Sequence, residues 1–442
     1  MIITDIAQKD LVRKIKFFFK SKKITKLEYS RLGLFYLCPF ATTKGNAKIY
    51  FFLNKIKYFK IYLKTTIIDF YNLLKIHDFK TIIHDEKKIK NYKSMVVNWG
   101  SLKDFNKAGE FHDKYFNINS SKCNDVFWYI IYLDDKLPTK INKNIALVYS
   151  KKSKFSFLHF KKIIKNILYK KSKFKFINQE ISYFSILALY VYRDFDKFIF
   201  KDLKKIIMPY EGQPFQNVIF FKISQMRKKI NTFGYIHSFP IGLPTNLFKR
   251  AGHPNKLLIN SISQKYALKK FFGWSNLDLK ILPSARFKKH TNNEMNNKIF
   301  LPIEFSSSKK ILKSFLELMK YNKSDFSLLE IKNHPRCYKS KKHLNLIADI
   351  KNMVKDYSKN RKIKSNFSVF IGPTGSVIEA LERNLNVFHI CENPVIETYT
   401  KEIWKYINCH KINDNLFRYK KIGEQRLLKF NNDKKIYRKY IY

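Results

Sequence analysis

Cysteine is scarce in this chain, and long apolar runs are lacking. The five cysteines (Cys38, Cys123, Cys337, Cys391 and Cys409) form no Cys-x-x-Cys pair. This spacing supports neither a disulfide framework nor a zinc site, and it suits a reducing cytoplasm. The longest nearly uncharged apolar run, Ser182 to Tyr192, is far shorter than the roughly 20 residues of a membrane-spanning helix. Lysines interrupt the stretch KDLVRKIKFFFKSKK, so we predict no secretory signal there.

Acidic residues are also few: 34 Asp and Glu stand against 87 Lys and Arg, which leaves a net charge of +53. Such an excess fits a polyanionic partner, either nucleic acid or anionic lipid. It equally fits compositional drift, since Lys, Asn, Ile, Phe and Tyr are all abundant and the lysines are spread over the whole chain. We favour drift and expect no nucleic-acid partner, because no named nucleic-acid-binding motif is present. A basic nucleic-acid-binding protein is kept as an alternative.

One segment departs from this background. Residues 151–179 carry ten lysines and no acid, and apolar residues recur among them at helical spacing. The pattern predicts a basic amphipathic helix, which is typical of elements that bind anionic membrane surfaces. A surface helix packed on its own domain has the same pattern. We therefore expect a cytoplasmic protein, with contact to the inner face of the cytoplasmic membrane as an option through this segment.

The chain is long enough for about two domains. From Ser94 onward, short apolar runs such as SMVVNWG, KKIIMP and NFSVFI alternate with helical patterns. Alternation of this kind indicates parallel sheets covered by helices on both faces. The polar stretch HTNNEMNNK, at 290–298, interrupts the alternation and predicts a linker. We predict an α/β fold of two doubly wound, Rossmann-like domains, at 1–290 and 291–442.

Ligands of open α/β sheets bind beyond the carboxyl ends of the strands, so the loops there are the candidate sites. The sharpest is the loop after NFSVFI, which contains Gly372, Thr374, Gly375 and Ser376. Its glycines allow close backbone approach, and its hydroxyls and free N–H groups favour a phosphate. Glu379, about one turn into the following helix, is placed to reach ribose hydroxyls. A plain glycine turn with a helix cap is the alternative interpretation.

Three further loops carry candidate groups. His334 follows the strand SLLEIKN, and Pro335 restricts its backbone, so that it can donate to a phosphate or protonate a leaving group. Glu211 and Gly212 end the strand of the segment KKIIMPYEGQPF, where burial would raise the pKa of Glu211 toward that of a general base; a solvated loop glutamate is equally compatible with the sequence. Ser307 opens a helix and is a weaker phosphate candidate. For His237, after TFGYI, we prefer a structural role to a place in the same cleft.

These motifs, in this order, resemble those of the bacterial sialyltransferases and polysialyltransferases. Enzymes of that group have the GT-B fold, with an acidic-acidic-Gly motif, a His-Pro motif and a Ser/Thr motif. Here Glu211-Gly212, His334-Pro335 and the Thr374/Ser376 pair stand in those places. One departure is Tyr210, which stands where the first acid would be. From Trp99 to the C-terminus the chain is also similar to surface-carbohydrate biosynthesis proteins of bacterial polysaccharide clusters.

The resemblance implies a GT-B glycosyltransferase whose domains face each other across a cleft, with the acceptor side at 1–290 and the nucleotide-sugar side at 291–442. Glu211 would be the general base that deprotonates the acceptor hydroxyl. His334 would bind the phosphate of a cytidine nucleotide and assist its departure, and Thr374 and Ser376 would hold the same phosphate. The implied partners are a nucleotide-activated sugar and a glycan or lipid-linked glycan acceptor.

Two absences refine this expectation. No pair of glutamates eight positions apart, as retaining GT-B enzymes often have, occurs from Glu294 onward, and the Asp-Phe-Asp at Asp194 is not in a strand-end context. We therefore expect an inverting transfer that needs no metal or other cofactor, in the synthesis of surface polysaccharide or lipopolysaccharide. The donor is expected to be a sialic-acid-like nonulosonate carried on CMP. A UDP- or GDP-hexose donor on the same fold is the alternative.

Overall fold

The structure is a computed structural model, and it describes most of the chain from residue 91 onward and two short parts before it. The described residues are 3–21, 77–84, 91–123, 125–152, 183–226, 229–250, 252–283, 287, 295–322, 324–357, 367–430 and 438–441. The basic helix predicted at 151–179 lies outside them except for its first two residues. The predicted linker at 290–298 is described only from residue 295.

Within the described residues, the first large sheet has eight strands, of which the seven other than β1 are parallel to one another. They lie in the order β1-β6-β5-β2-β7-β8-β9-β10, with β1 antiparallel on the edge. Without β1, this is the order of a doubly wound sheet, in which the strand order reverses between β2 and β7. The strands are β1 (His77–Ile83), β2 (Ser94–Gly100), β5 (Val126–Tyr132), β6 (Ile145–Lys152), β7 (Lys205–Pro209), β8 (Asn231–Tyr235), β9 (Lys256–Ile259) and β10 (Leu279–Ile281). A two-stranded ribbon, β3 (His112–Asp113) and β4 (Ile118–Asn119), lies between β2 and β5 in the chain.

The centre of this sheet is buried on both faces, which explains why its strands are continuous apolar runs. All seven residues of β5 are buried. Phe127, Tyr129 and Ile131 belong to one hydrophobic cluster, whereas Val126, Trp128, Ile130 and Tyr132 belong to another. Because successive side chains of a strand point to opposite faces, the two clusters are the cores above and below the sheet.

The second sheet, in the part of the chain that the structure describes, has six strands in the order β12-β11-β13-β14-β16-β15. The first four are parallel, and the β15–β16 hairpin is antiparallel on the edge. The strand order of the parallel part reverses between β11 and β13. The strands are β11 (Lys298–Phe300), β12 (Glu330–Lys332), β13 (Phe367–Ile371), β14 (Asn386–Ile390), β15 (Ile407–Lys411) and β16 (Leu416–Lys421).

In the described residues, α-helices lie between most of the successive parallel strands, but a two-stranded ribbon lies between β2 and β5, and no α-helix lies between β5 and β6 or between β8 and β9. The predicted alternation of strand and helix is therefore confirmed in part: the fold is mixed α/β with two sheets dominated by parallel pairing. Ser261 and Ser307 cap two of the helices by accepting from backbone N–H groups three residues later. The described helices are α1 (Ile3–Ser21), α2 (Tyr183–Asp194), α3 (Pro214–Ser224), α4 (Ile262–Phe271), α5 (Ser308–Tyr321), α6 (Lys341–Tyr357), α7 (Ser376–Glu382), α8 (Pro394–Glu397) and α9 (Arg438–Ile441).

The first and the last described segments of the chain, α1 and α9, each pack against the other half of the molecule. The buried Gln8 amide of α1 donates to the carbonyls of Val395 and Thr398, which lie at α8 beyond the second sheet. Conversely, Ile441 of α9 is buried in the cluster under the first sheet, with Val96 and Leu258. The division at residue 290 stays a prediction; these contacts join the two halves on either side of it.

No helix within the described part of the chain is both long and apolar enough to cross a membrane.

Candidate functional site

Most of the predicted site residues lie in loops at the carboxyl ends of strands next to the reversals of strand order. Glu211 follows β7, beside the reversal of the first sheet. Ser307 follows β11, and the 372–376 loop follows β13, on the two sides of the reversal in the second sheet. His334 follows β12, the neighbour of β11, and precedes a short 3-10 helix, Pro335–Cys337. Such positions are where open α/β sheets bind their ligands.

The Glu211 carboxylate is partly enclosed. Its side chain is 24% exposed, and Oε1 lies 3.6 Å from Nε2 of His237. The other oxygen, Oε2, accepts a hydrogen bond of 2.8 Å from the Gln213 side-chain amide. A carboxylate in this setting is oriented by its neighbours while still open to a reacting hydroxyl, as a general base has to be.

Buried amide side chains hold the loop that carries Glu211. The Gln216 carbonyl oxygen accepts from the backbone N–H groups of Glu211 and Gln213, each at 3.0 Å, and the Gln216 amide donates to Pro209 O. Asn246 donates to the backbone oxygen of Glu211 at 2.7 Å. Gly212 has φ +69°, and a Cβ there would lie 2.6 Å from the Asn246 carbonyl oxygen, so only glycine fits. The backbone of Glu211 is therefore fixed.

Tyr210, the departure from the acidic-acidic-Gly motif, points away from this loop into the core. Its ring is buried, and its hydroxyl donates to Oδ1 of Asn217 at 2.9 Å. Burial raises its pKa to about 12, so it is a neutral phenol in the pH range of a cell.

His237, for which a structural role is predicted, lies beside Glu211, with Nε2 3.6 Å from Oε1. It follows β8, which pairs in parallel with β7, and its ring packs edge-on against Tyr115 with the ring centroids 4.6 Å apart.

The turn that carries Tyr115 is held by Asp113. The Asp113 carboxylate is buried and accepts from the N–H groups of Tyr115 and Phe116 and from the Asn98 amide. Burial raises the pKa of Asp113 to about 6.

The glycine loop after β13 touches the first half of the molecule. Gly372 has φ +68°, in the left-handed region that glycine favours, and its position packs against Pro302. Gly375 has an ordinary backbone conformation, but a Cβ there would overlap the carbonyl oxygen of Phe239 and lie 2.9 Å from its carbonyl carbon. The space left by the absent side chain is therefore filled by the loop after β8. Thr374 Oγ1 accepts from the Ser376 N–H at 3.2 Å.

Two buried aromatic side chains secure this contact. The Tyr399 hydroxyl lies 2.8 Å from Pro240 O and 2.9 Å from Thr374 O, so it bridges one loop of each half. The Trp404 indole donates to Gly242 O at 2.6 Å. The loop of residues 237–242 thus begins at the Glu211 carboxylate and ends against the Thr374–Ser376 loop. This arrangement links the carboxyl edges of the two sheets.

Two predicted ligand residues have partners within the chain. Glu379 accepts from the Arg383 guanidinium on the next turn of α7, at 2.9 Å. The N-terminal turn before α5 binds an anion, but that anion is the carboxylate of Glu392: it accepts from the backbone N–H groups of Ser306 and Ser307 at 2.8 Å and from the Ser306 hydroxyl. The Ser307 hydroxyl is occupied in capping α5.

A second group of polar side chains is fully buried beneath the glycine loop: His389, Cys391 and Glu397. Their ligating atoms all lie within 4.8 Å of one another. Burial lowers the pKa of His389 to about 4 and raises that of Glu397 to about 8, and it raises the pKa of the Cys391 thiol well above its usual range. The scarcity of Cys-x-x-Cys pairs gave no hint of this group; the available signal was the run His-x-Cys that begins inside the strand LNVFHI and ends just after it.

Neither a scan against protein-family models nor a search of the curated proteins finds a match for this chain.

Proposed function

We propose that this chain is a glycosyltransferase of the GT-B type that transfers a sugar from a nucleotide donor to a glycan or lipid-linked glycan acceptor. The observation that carries the proposal is the position of the 237–242 loop. It contacts the Glu211 carboxylate at one end, through His237 at 3.6 Å, and the Gly375 position at the other. A candidate base and a candidate phosphate loop thus lie on the two sides of one junction between doubly wound sheets.

In the proposed reaction Glu211 takes the proton of an acceptor hydroxyl as its oxygen attacks the anomeric carbon of the donor. The bond between that carbon and the nucleotide phosphate breaks, and its electron pair leaves with the phosphate. Thr374, Ser376 and His334 bind the departing phosphate, whose developing charge their donors stabilise. Attack opposite the leaving group inverts the anomeric centre. No step requires a metal ion at the reacting atoms.

The donor is proposed to be a CMP-activated nonulosonate, on the strength of the resemblance of Glu211-Gly212, His334-Pro335 and Thr374/Ser376 to the sialyltransferase motifs. Tyr210, which stands where the motif has its first acid, is buried and donates to Asn217. The proposed role in surface polysaccharide synthesis rests on the same resemblance.

A thermal-shift screen of the purified protein tests the proposal. The ligands are CMP, CDP, UDP, GDP and a short DNA duplex, each at about 1 mM. A ligand that binds with a dissociation constant of about 10 μM would raise the free energy of unfolding of the protein by roughly 2.7 kcal/mol at that concentration. We expect CMP to raise the melting temperature and Glu211→Gln to leave that rise intact. If only UDP or GDP raised the melting temperature, the proposed CMP donor would be wrong. If only the DNA duplex raised it, and salt abolished the effect, the proposal that the protein is an enzyme would be refuted.

A further inference from the structure

The buried group beneath the glycine loop has the composition of a metal site. His389 and Cys391 stand at the end of β14, and Glu397 is the last residue of α8. Nδ1 of His389 lies 3.4 Å from Sγ of Cys391. A tetrahedral zinc ion with a Zn–N bond of about 2.05 Å and a Zn–S bond of about 2.3 Å holds these two atoms about 3.6 Å apart. The imidazole and the thiol are therefore already at the separation that such an ion needs.

The hydrogen bond on the far side of the imidazole sets its tautomer. Nε2 of His389 lies 2.6 Å from the carbonyl oxygen of Gly372, and a carbonyl can only accept, so the proton is on Nε2. The lone pair of Nδ1 therefore faces Cys391 and the Tyr419 hydroxyl, which is 3.2 Å away. Histidines that bind metals characteristically donate their other ring N–H to a backbone carbonyl or carboxylate in this way.

The carboxylate of Glu397 is oriented by two backbone donors. Its oxygens accept from the N–H groups of Glu392 and Asn393, both at 3.0 Å. Each carboxylate oxygen has a second lone pair for another partner. A thiolate and a carboxylate together carry two negative charges, which a divalent cation neutralises, so the occupied group would bury no net charge.

We propose that His389, Cys391 and Glu397 bind one divalent ion of the zinc class, at a site that joins β14 to α8. Nitrogen, thiolate sulfur and carboxylate oxygen together suit zinc better than magnesium or calcium, which prefer oxygen alone. Glu397 supplies the third ligand atom, which lies within 4.8 Å of the other two, and a water takes the fourth position. Binding releases the proton of the thiol.

The ion would also stiffen the candidate phosphate loop, because its ligand His389 donates directly to Gly372, the first residue of that loop. This inference depends on the 389–397 group alone and is independent of the proposed transferase activity. A metal site without nucleotide binding, or nucleotide binding without a metal site, would therefore separate the two proposals.

Metal analysis of the purified full chain tests the site. We expect about one zinc per chain after incubation with zinc sulfate and gel filtration, and a large loss of that zinc in Cys391→Ser and Glu397→Gln. Two control variants should keep the metal: Cys123→Ser, which removes a buried thiol in the core of the first sheet, and His343→Gln, which changes a buried histidine bonded to Ser340 and Pro302.

Cobalt provides a second measurement that needs no variant to fold. Cobalt(II) added to the metal-free wild-type chain should give the charge-transfer absorption of a thiolate–cobalt bond, and zinc should abolish it. A wild-type chain that retains no stoichiometric zinc and gives no such absorption would overturn the proposal. The group would then be a hydrogen-bonded network in which Nδ1 of His389 accepts from Cys391 or from Tyr419.

Discussion

Replacement of Gly375 by alanine tests the contact between the two halves of the molecule, and the sign of its effect is diagnostic. Gly375 has φ −77°, which alanine adopts without strain. If the position were open to solvent or to a ligand, Gly375→Ala would therefore stabilise the protein by about 0.4–1 kcal/mol, through the lower entropy of the unfolded chain. The structure predicts the opposite.

The new Cβ would overlap the carbonyl oxygen of Phe239 and lie 2.9 Å from its carbonyl carbon. Carbon atoms in contact lie about 3.5–4.0 Å apart, so the two backbones would have to separate by at least about 0.6 Å. Overpacking of this kind typically costs about 1–3 kcal/mol. It would also strain the Tyr399 hydroxyl that bridges Pro240 and Thr374.

Urea unfolding of the wild type and Gly375→Ala gives the comparison. We expect the variant to lose about 1–3 kcal/mol of unfolding free energy. Gly423→Ala serves as the control for glycine removal without a clash, because no atom lies within 4 Å of its Cβ position and only its φ of +68° opposes alanine. A Gly375→Ala protein more stable than the wild type would show that Phe239 does not fill this space, and the account of the junction would fail.

Three further changes have defined outcomes. Gln216→Ala leaves the N–H groups of Glu211 and Gln213 without their buried acceptor, which should cost about 1–3 kcal/mol in urea unfolding and lower turnover more than nucleotide affinity. His334→Ala should weaken nucleotide binding in calorimetry, and unchanged affinity would place the donor phosphate elsewhere. Asp113 has its pKa raised from 3.8 to about 6, so the folded chain holds a proton that the unfolded chain releases; its contribution to stability is present below pH 4 and is lost, by about 3 kcal/mol, as the pH rises through 6. Unfolding of Asp113→Asn across that range should lack this loss, and parallel pH profiles of the two proteins would contradict it.

Much of the fold could be predicted from the sequence because its strands are buried on both faces. Such strands appear as short apolar runs between polar breaks, and the runs KKIIMP, TFGYIHS and NFSVFI all contain strands. Two antiparallel elements at the sheet edges were harder to predict. β1 and the β15–β16 hairpin mix charged and apolar residues, as strands with one exposed face do. Neither was predicted.

The site was partly predictable for a related reason. Position after a parallel strand indicated Glu211, His334 and the 372–376 loop, since ligand sites of open sheets concentrate there. The spacing of residues along the chain could not show which strands pair or which loops meet in the folded molecule. The approach of His237 to Glu211 depends on the parallel pairing of β8 with β7, and the filling of the Gly375 space depends on the loop after β8.

Other features had no local signal at all. Gln216 and Asn246 look like ordinary polar residues, yet they fix the Glu211 backbone from a helix and from a distant loop. Glu392 binds the turn at Ser306 across 86 positions of sequence. Each of these contacts is set by tertiary packing, which a single sequence does not display.

Turnover of a nucleotide sugar by wild-type protein and by Glu211→Gln is the most direct test of the central claim. Release of free nucleotide from CMP-, UDP- and GDP-activated sugars is followed by chromatography, with a glycan acceptor present. We predict release from the CMP donor by the wild type and a loss of about 10²–10⁴-fold in Glu211→Gln, with CMP binding retained because the substitution removes only the base. Equal turnover by the two proteins, or release from none of the donors, would contradict the assignment of Glu211 as the base of a glycosyltransferase.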